Sequence, residues 1–135
     1  MNRRYFAAAV LLLSLIAGDV YADTAGRLVS KGNSEYEKQR YEEAAALYEK
    51  ASVKLPESGV IAFNLGDVLY RQEDYSGARS HFEDAAMKTR DLSLEAKAWY
   101  NMGNCAFGEG SRQVDSDMEK ALEFYKESVL SLIHI

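Results

Sequence analysis

The stretch L-G-D-V-L-Y-R-Q-E-D-Y-S-G-A-R-S-H-F-E-D-A, residues 65–85, echoes K-G-N-S-E-Y-E-K-Q-R-Y-E-E-A-A-A-L-Y-E-K-A, residues 31–51. Gly32, Tyr36, Tyr41, Ala44, Tyr48 and Ala51 fall on Gly66, Tyr70, Tyr75, Ala78, Phe82 and Ala85, every pair at the same offset. Six matches at one period mark a repeat architecture, in which each unit buries its apolar face against its neighbours. A third copy opens at W-Y-N-M-G-N, 99–104, and closes at A-L-E-F-Y-K-E-S, 121–128. Abundant Ala, Glu, Leu and Lys with a single proline favour helix throughout.

A glycine inside a helical pattern costs about 1 kcal/mol relative to alanine, so its recurrence at one repeat position needs a reason. The spacing predicts that the first helix of each copy crosses the second closely. Gly32, Gly66 and Gly103 would face Ala44, Ala78 and Ala121, while Tyr48, Phe82 and Tyr125 fill the space below. Helix-ending glycines do not fit, because helical patterning continues on both sides.

Helices are predicted near 24–38, 41–54, 59–72, 75–89, 93–108 and 116–131. Leu55-Pro56 ends the second, since proline disfavours helical geometry in the residue before it. Ser116 with Glu119 reads as a capping box for the sixth. Gly103 and Ala121 stand further apart in the chain than Gly32 and Ala44 or Gly66 and Ala78. The surplus falls in G-E-G-S-R-Q-V-D, 108–115, which reads as a flexible polar loop. The step from Gly66 to Gly103 also exceeds that from Gly32 to Gly66, which predicts a longer turn around T-R-D-L-S, 89–93.

This pattern resembles the tetratricopeptide repeat, a helix–turn–helix unit with a period of about 34 residues, which is the offset between the first two copies. Trp99 in the third copy, Leu65-Gly66 in the second and Pro56 closing the first carry the likeness, which spans nearly all of 24–131. It implies an all-α fold of about three helical hairpins stacked into a right-handed superhelical array. The domain would run over 23–131, with repeats near 24–57, 58–92 and 95–131. The resemblance also implies a concave groove, lined by the first helices, that takes an extended peptide or a partner helix. By family position that face carries Val29, Asn33, Tyr36, Phe63, Asp67, Tyr70, Arg71, Tyr100, Asn104 and Phe107. Aromatics there supply contact area at low entropic cost; the alternative is that several of them pack between repeats instead. Chaperone-binding members clamp a terminal carboxylate with a lysine and asparagines. Val29, Phe63 and Tyr100 fill the lysine place here, so that clamp is missing. F-N-L-G-D-V-L-Y (63–70), L-E-A-K-A-W-Y-N-M-G-N (94–104) and the extended third-copy loop are similar to the tetratricopeptide proteins of the bacterial aerotolerance operon. Those proteins accompany von Willebrand-A-domain membrane proteins, which the resemblance implies as partners.

The 135 residues are 47% hydrophobic and 27% charged, the balance of an ordered globular chain. A formal net charge of −5 opposes non-specific nucleic-acid binding, which needs a basic face. Asn2-Arg3-Arg4, an apolar run at 5–18 and D-V-Y-A at 19–22 read as a secretory signal, too short for a comfortable membrane span. Val20 and Ala22 predict cleavage before Asp23, leaving 1–22 as signal peptide and the rest in the periplasm or cell envelope. An uncleaved anchor is the alternative; contact with the membrane is expected only through that segment or a partner. No cysteine stands directly after the cut, so a lipoprotein anchor is not expected, and the lone Cys105 permits no internal disulfide. The tail L-S-L-I-H-I, 130–135, reads as a non-native end, matching an in-frame translation of a transposon end used in sequencing libraries. The native chain is then expected to continue beyond about Val129, with a natural apolar tail as the alternative.

No catalytic, cofactor-binding or metal-binding residues are expected. His81 reads as a surface residue and His134 lies in the tail. Cys105 reads as a small buried filler, with no cationic neighbour to activate it. Glu42-Glu43 and Glu73-Asp74 are solvated charges at turns and helix starts. Asp115, Asp117 and Glu119 lack the glycine and remaining ligands of a calcium loop. The expected function is a non-enzymatic protein-binding scaffold; the alternative is the N-terminal repeat region of a larger envelope enzyme or receptor.

Overall fold

The computed structural model describes residues 24–114 and 117–133. The expected signal segment, Ser116 of the expected capping box, and His134 lie outside the described residues. Six helices follow one another: α1 (24–37), α2 (Tyr41–Lys54), α3 (Gly59–Arg71), α4 (Tyr75–Lys88), α5 (Leu92–Gln113) and α6 (Met118–Ile133). No strand occurs among the described residues. Helices α1–α2, α3–α4 and α5–α6 form three hairpins, and α2 packs on α3 as α4 packs on α5.

Local chemistry sets most helix ends. The Ser58 hydroxyl accepts from the Ile61 amide (3.4 Å), and the Asp74 carboxylate accepts from the Gly77 amide (3.0 Å). Asp91 accepts from the Ser93 amide at 2.8 Å, and Asp117 from the Lys120 amide at 3.0 Å. Each satisfies an amide that the first helical turn leaves without a partner. The cap of α6 seen among the described residues is therefore Asp117, one position beyond the expected Ser116. The turns inside the first two hairpins share one geometry. Gln39 (φ 60°) and Glu73 (φ 63°), which hold the same place in successive repeats, adopt the left-handed conformation. The following amides, of Arg40 and Asp74, reach back to the carbonyls of Glu35 and Leu69 at 2.9 Å each. This closes α1 and α3 with the wide hydrogen-bonded ring common at helix ends.

The core runs through the stack as two clusters. One joins Ala25, Ala44, Tyr48, Ala51, Ile61, Leu65 and Val68; the other joins Ala62, Ala78, Phe82, Ala85, Ala86, Ala98, Met102 and Cys105. Each draws residues from neighbouring hairpins, so burial of one depends on the next.

Two expectations are corrected. In the first two copies the atoms that come nearest to the repeated glycine are those of the aromatic ring, expected to lie below the crossing; the side chains of Ala121 and Tyr125 in the third lie outside the described residues. A Cβ on Gly32 would lie 2.5 Å from Tyr48 Cε1, and one on Gly66 would lie 2.7 Å from Phe82 Cε1. Glycine lets a large ring of the second helix rest directly on the backbone of the first, and Ala44 and Ala78 on that second helix are fully buried.

The extra residues of the third copy are helix, not loop. Helix α5 runs for 22 residues against 13 for α3, and the turn before it, 89–91, is shorter than the one at 55–58. Tertiary contacts hold the extension. A Cβ on Gly108 would lie 2.7 Å from Tyr75 Cε2, so that glycine admits the Tyr75 ring. The Arg112 guanidinium stacks over the same ring with its Cζ 4.6 Å from the centroid. Its Nη1 donates to the Glu73 carbonyl at 2.8 Å, and it pairs with the Glu73 carboxylate. A segment whose glycines and serine suggest a loop is kept helical by what it touches.

Candidate functional site

The first helices of the hairpins lie side by side, and polar bridges show their register. Arg71 Nε on α3 donates to the Tyr36 hydroxyl on α1 at 3.0 Å, and Asn101 Nδ2 on α5 donates to Asp67 Oδ1 at 3.4 Å. Tyr100, Asn104 and Phe107 share one face of α5, and Phe63, Asp67, Tyr70 and Arg71 share one face of α3, by their spacing of four, seven and eight.

The expected groove residues divide into two kinds. Tyr100 and Phe107 are 52% and 59% exposed, so each offers a large ring surface to solvent. Phe63, Tyr36 and Tyr70 are half-buried and already engaged in ring contacts. Phe63 meets Phe82 edge-on at 5.2 Å, Tyr36 meets Tyr41 at 5.5 Å, and Tyr70 meets Tyr75 at 5.4 Å. Asn104 is half-buried, Arg71 exposed and Val29 half-buried.

A cleft of about 310 Å³ opens between α1 and α3, lined by Asn33, Tyr36, Glu37, Tyr48, Asn64 and Asp67. The Tyr48 hydroxyl donates to Asn33 Oδ1 at 2.7 Å. Burial pushes the Tyr48 phenol up to about 12, with Tyr36, Asp67 and Glu37 adding to the effect. Burial also holds the Asp67 carboxyl above its usual range, an effect that the nearby Arg71 only partly opposes. The hydrogen bond to Tyr36 in turn helps keep Arg71 protonated. Asn33, Tyr36 and Asp67 were expected on this surface; Glu37, Tyr48, Asn64 and the bridging Asn101 were not. Asn64 and Asn101 do carry a signal, since both follow the aromatic column of Phe63 and Tyr100 by one residue.

Elsewhere the structure offers little reactive chemistry. Cys105 is fully buried, and burial first, then Glu109, pushes its thiol up to about 12, so it stays protonated and inert. Arg79 on α4 lies 3.9 Å from Glu109 on α5 and also pairs with Glu127 on α6, tying three helices together. Among the described residues no group of His, Cys, Asp and Glu side chains could hold a metal ion.

The tetratricopeptide repeat family model matches residues 29–92 and 63–129, which together take in most of the chain. The chain belongs to the tetratricopeptide repeat family. The fold is shared with solved tetratricopeptide structures. One is the N-terminal domain of stress-induced protein-1 (STI-1) from C. elegans, at 23% identity and a TM-score of 0.63, covering 82% of this chain and 86% of that one. Another is the first tetratricopeptide domain of Spaghetti (RPAP3) bound to the HSP90 peptide SRMEEVD, at 24% identity and a TM-score of 0.61, covering 83% of this chain and 90% of that one. No curated protein matches this chain. Tetratricopeptide arrays present binding surfaces along their repeats, and a fold of this kind suits protein–protein interaction.

Proposed function

We propose that this tetratricopeptide protein is a non-enzymatic scaffold of the bacterial cell envelope, holding an extended segment or helix of another protein along α1, α3 and α5. The exposure of Tyr100 and Phe107 two helical turns apart on one face carries this reading. Both rings expose more than half of their surface on the face shared by Asn33 and Asp67, and aromatics are favoured anchors at interfaces. The RPAP3 domain, bound to a peptide, supports the peptide-binding use of the fold. The basic and apolar start of the chain supports export, and the motifs at 63–70 and 94–104 support a von Willebrand-A-domain membrane protein as the partner.

The test is co-purification from the envelope fraction of the native organism, comparing the wild-type chain with Tyr100→Ala/Phe107→Ala. The reading expects a von Willebrand-A-domain protein with the wild type and its loss from the double variant at unchanged melting temperature. Equal recovery with both proteins contradicts the groove; recovery of a different partner contradicts only the aerotolerance assignment.

A further inference from the structure

We propose that the cleft between α1 and α3 seats a lysine or arginine side chain of the bound segment, so that the groove selects basic sequences. This rests on the groove reading above and names the chemistry of its partner.

The cleft, about 310 Å³, is at the small end of ligand sites and suits one long side chain better than a whole ligand. Its lining holds two carboxylates, Glu37 and Asp67, and no cation. The nearby guanidinium, Arg71, lies outside the lining and spends its Nε on the Tyr36 hydroxyl at 3.0 Å. Asp67 accepts only a long bond, 3.4 Å, from Asn101. Desolvation therefore acts on an under-satisfied carboxylate, and Arg71 offsets it only in part. The Tyr48 phenol feels the same field: Asp67 and Glu37 both make its ionisation harder. A cationic head entering this space supplies the missing charge to Asp67. The amide oxygen of Asn64 and the tyrosine hydroxyls add further acceptors. An acidic side chain meets two like charges instead, and a neutral one leaves Asp67 as it is. The aliphatic stem of lysine or arginine can lie against the Tyr36 and Tyr48 rings that form the walls.

The test selects a random-peptide display library on the full chain, then measures affinities of the enriched peptides and of forms with the basic residue changed to alanine or glutamate. Wild type should enrich lysine- or arginine-bearing peptides. Each should weaken about tenfold on change to alanine, the size of one charge-assisted hydrogen bond, and more on change to glutamate. Glu37→Gln/Asp67→Asn, folded by its melting curve, should bind the basic and alanine forms alike. Enriched peptides with no preferred charge, or a lysine-to-alanine ratio that persists in the double variant, contradict the basic seat and leave the groove standing. No enriched peptide at all contradicts the groove reading, and the seat with it.

Discussion

The ring of Phe82 occupies the space in which a side chain on Gly66 would begin, its Cε1 2.7 Å from the Cβ position, and Tyr48 stands in the same relation to Gly32 at 2.5 Å. Both rings are buried, at 0% and 2% exposure, so neither can swing out without giving up core contacts. A methyl group at either glycine must displace an aromatic side chain in a close-packed interior. Gly66→Ala is accordingly expected to lower stability by about 1–3 kcal/mol, although alanine is the better helix former. Combining it with Phe82→Leu, which vacates part of the space, should cost less than the sum of the two changes. Urea melts of the four proteins measure this, and strict additivity would refute the ring-on-backbone contact.

Arg112 ties the end of α5 to the turn of the preceding hairpin through the Glu73 carbonyl and the Tyr75 ring. Arg112→Ala should fray residues 108–113 while leaving α3 and α4 intact. Amide exchange in that segment should quicken severalfold, with a loss of about 1 kcal/mol or less, since the pair is half exposed. Unchanged protection across 108–113 would show that the extension is helical for another reason.

Gln39 is a non-glycine residue in the left-handed region, with φ 60°. Its side chain is exposed and takes part in no core cluster. Gln39→Gly should relieve the steric cost and raise stability by about 0.5–1 kcal/mol, even after the entropy that glycine adds to the unfolded chain. A lower melting temperature would mean that the side chain contributes more than the turn geometry implies.

Asp67 is half-buried, with its carboxyl held above the usual range. The folded protein thus binds that proton more tightly than the unfolded one. The penalty for ionising it grows as pH rises from the ordinary carboxylate range through the folded value. Asp67→Asn removes the penalty and keeps an oxygen for Asn101. The variant should melt higher than wild type at neutral pH, and the gap should shrink as pH falls below the usual carboxylate range. Glu37, Tyr48 and Arg71 share the neighbourhood, so the gap should widen in Arg71→Gln. A gap independent of pH would remove charge burial as its cause.

The constant offset between copies made much of the fold legible: it placed α2 at 41–54 and set Ala44, Tyr48 and Ala51 in register with Ala78, Phe82 and Ala85. Periodicity reports which residues share a face, but not which atom of the opposite helix they meet. That is why the glycines read as facing alanines when the rings were closer. Composition misread 108–113 because helix there depends on Tyr75 and Glu73, which belong to the preceding repeat and lie far off in sequence. The cleft was legible in part. Asn33, Tyr36 and Asp67 stood out by repeat position and Asn64 only by its place next to Phe63, whereas Glu37 looks like an ordinary polar helix residue until α1 and α3 are set side by side.

The most direct test replaces Tyr100, and separately Val53, with a photo-crosslinking phenylalanine derivative in the native organism. Both positions are exposed, at 52% and 83%, but Tyr100 lies on the shared face of the first helices and Val53 on α2. A single partner protein captured from Tyr100 and absent from Val53 is the predicted result. Capture from Val53 with none from Tyr100 would contradict the account.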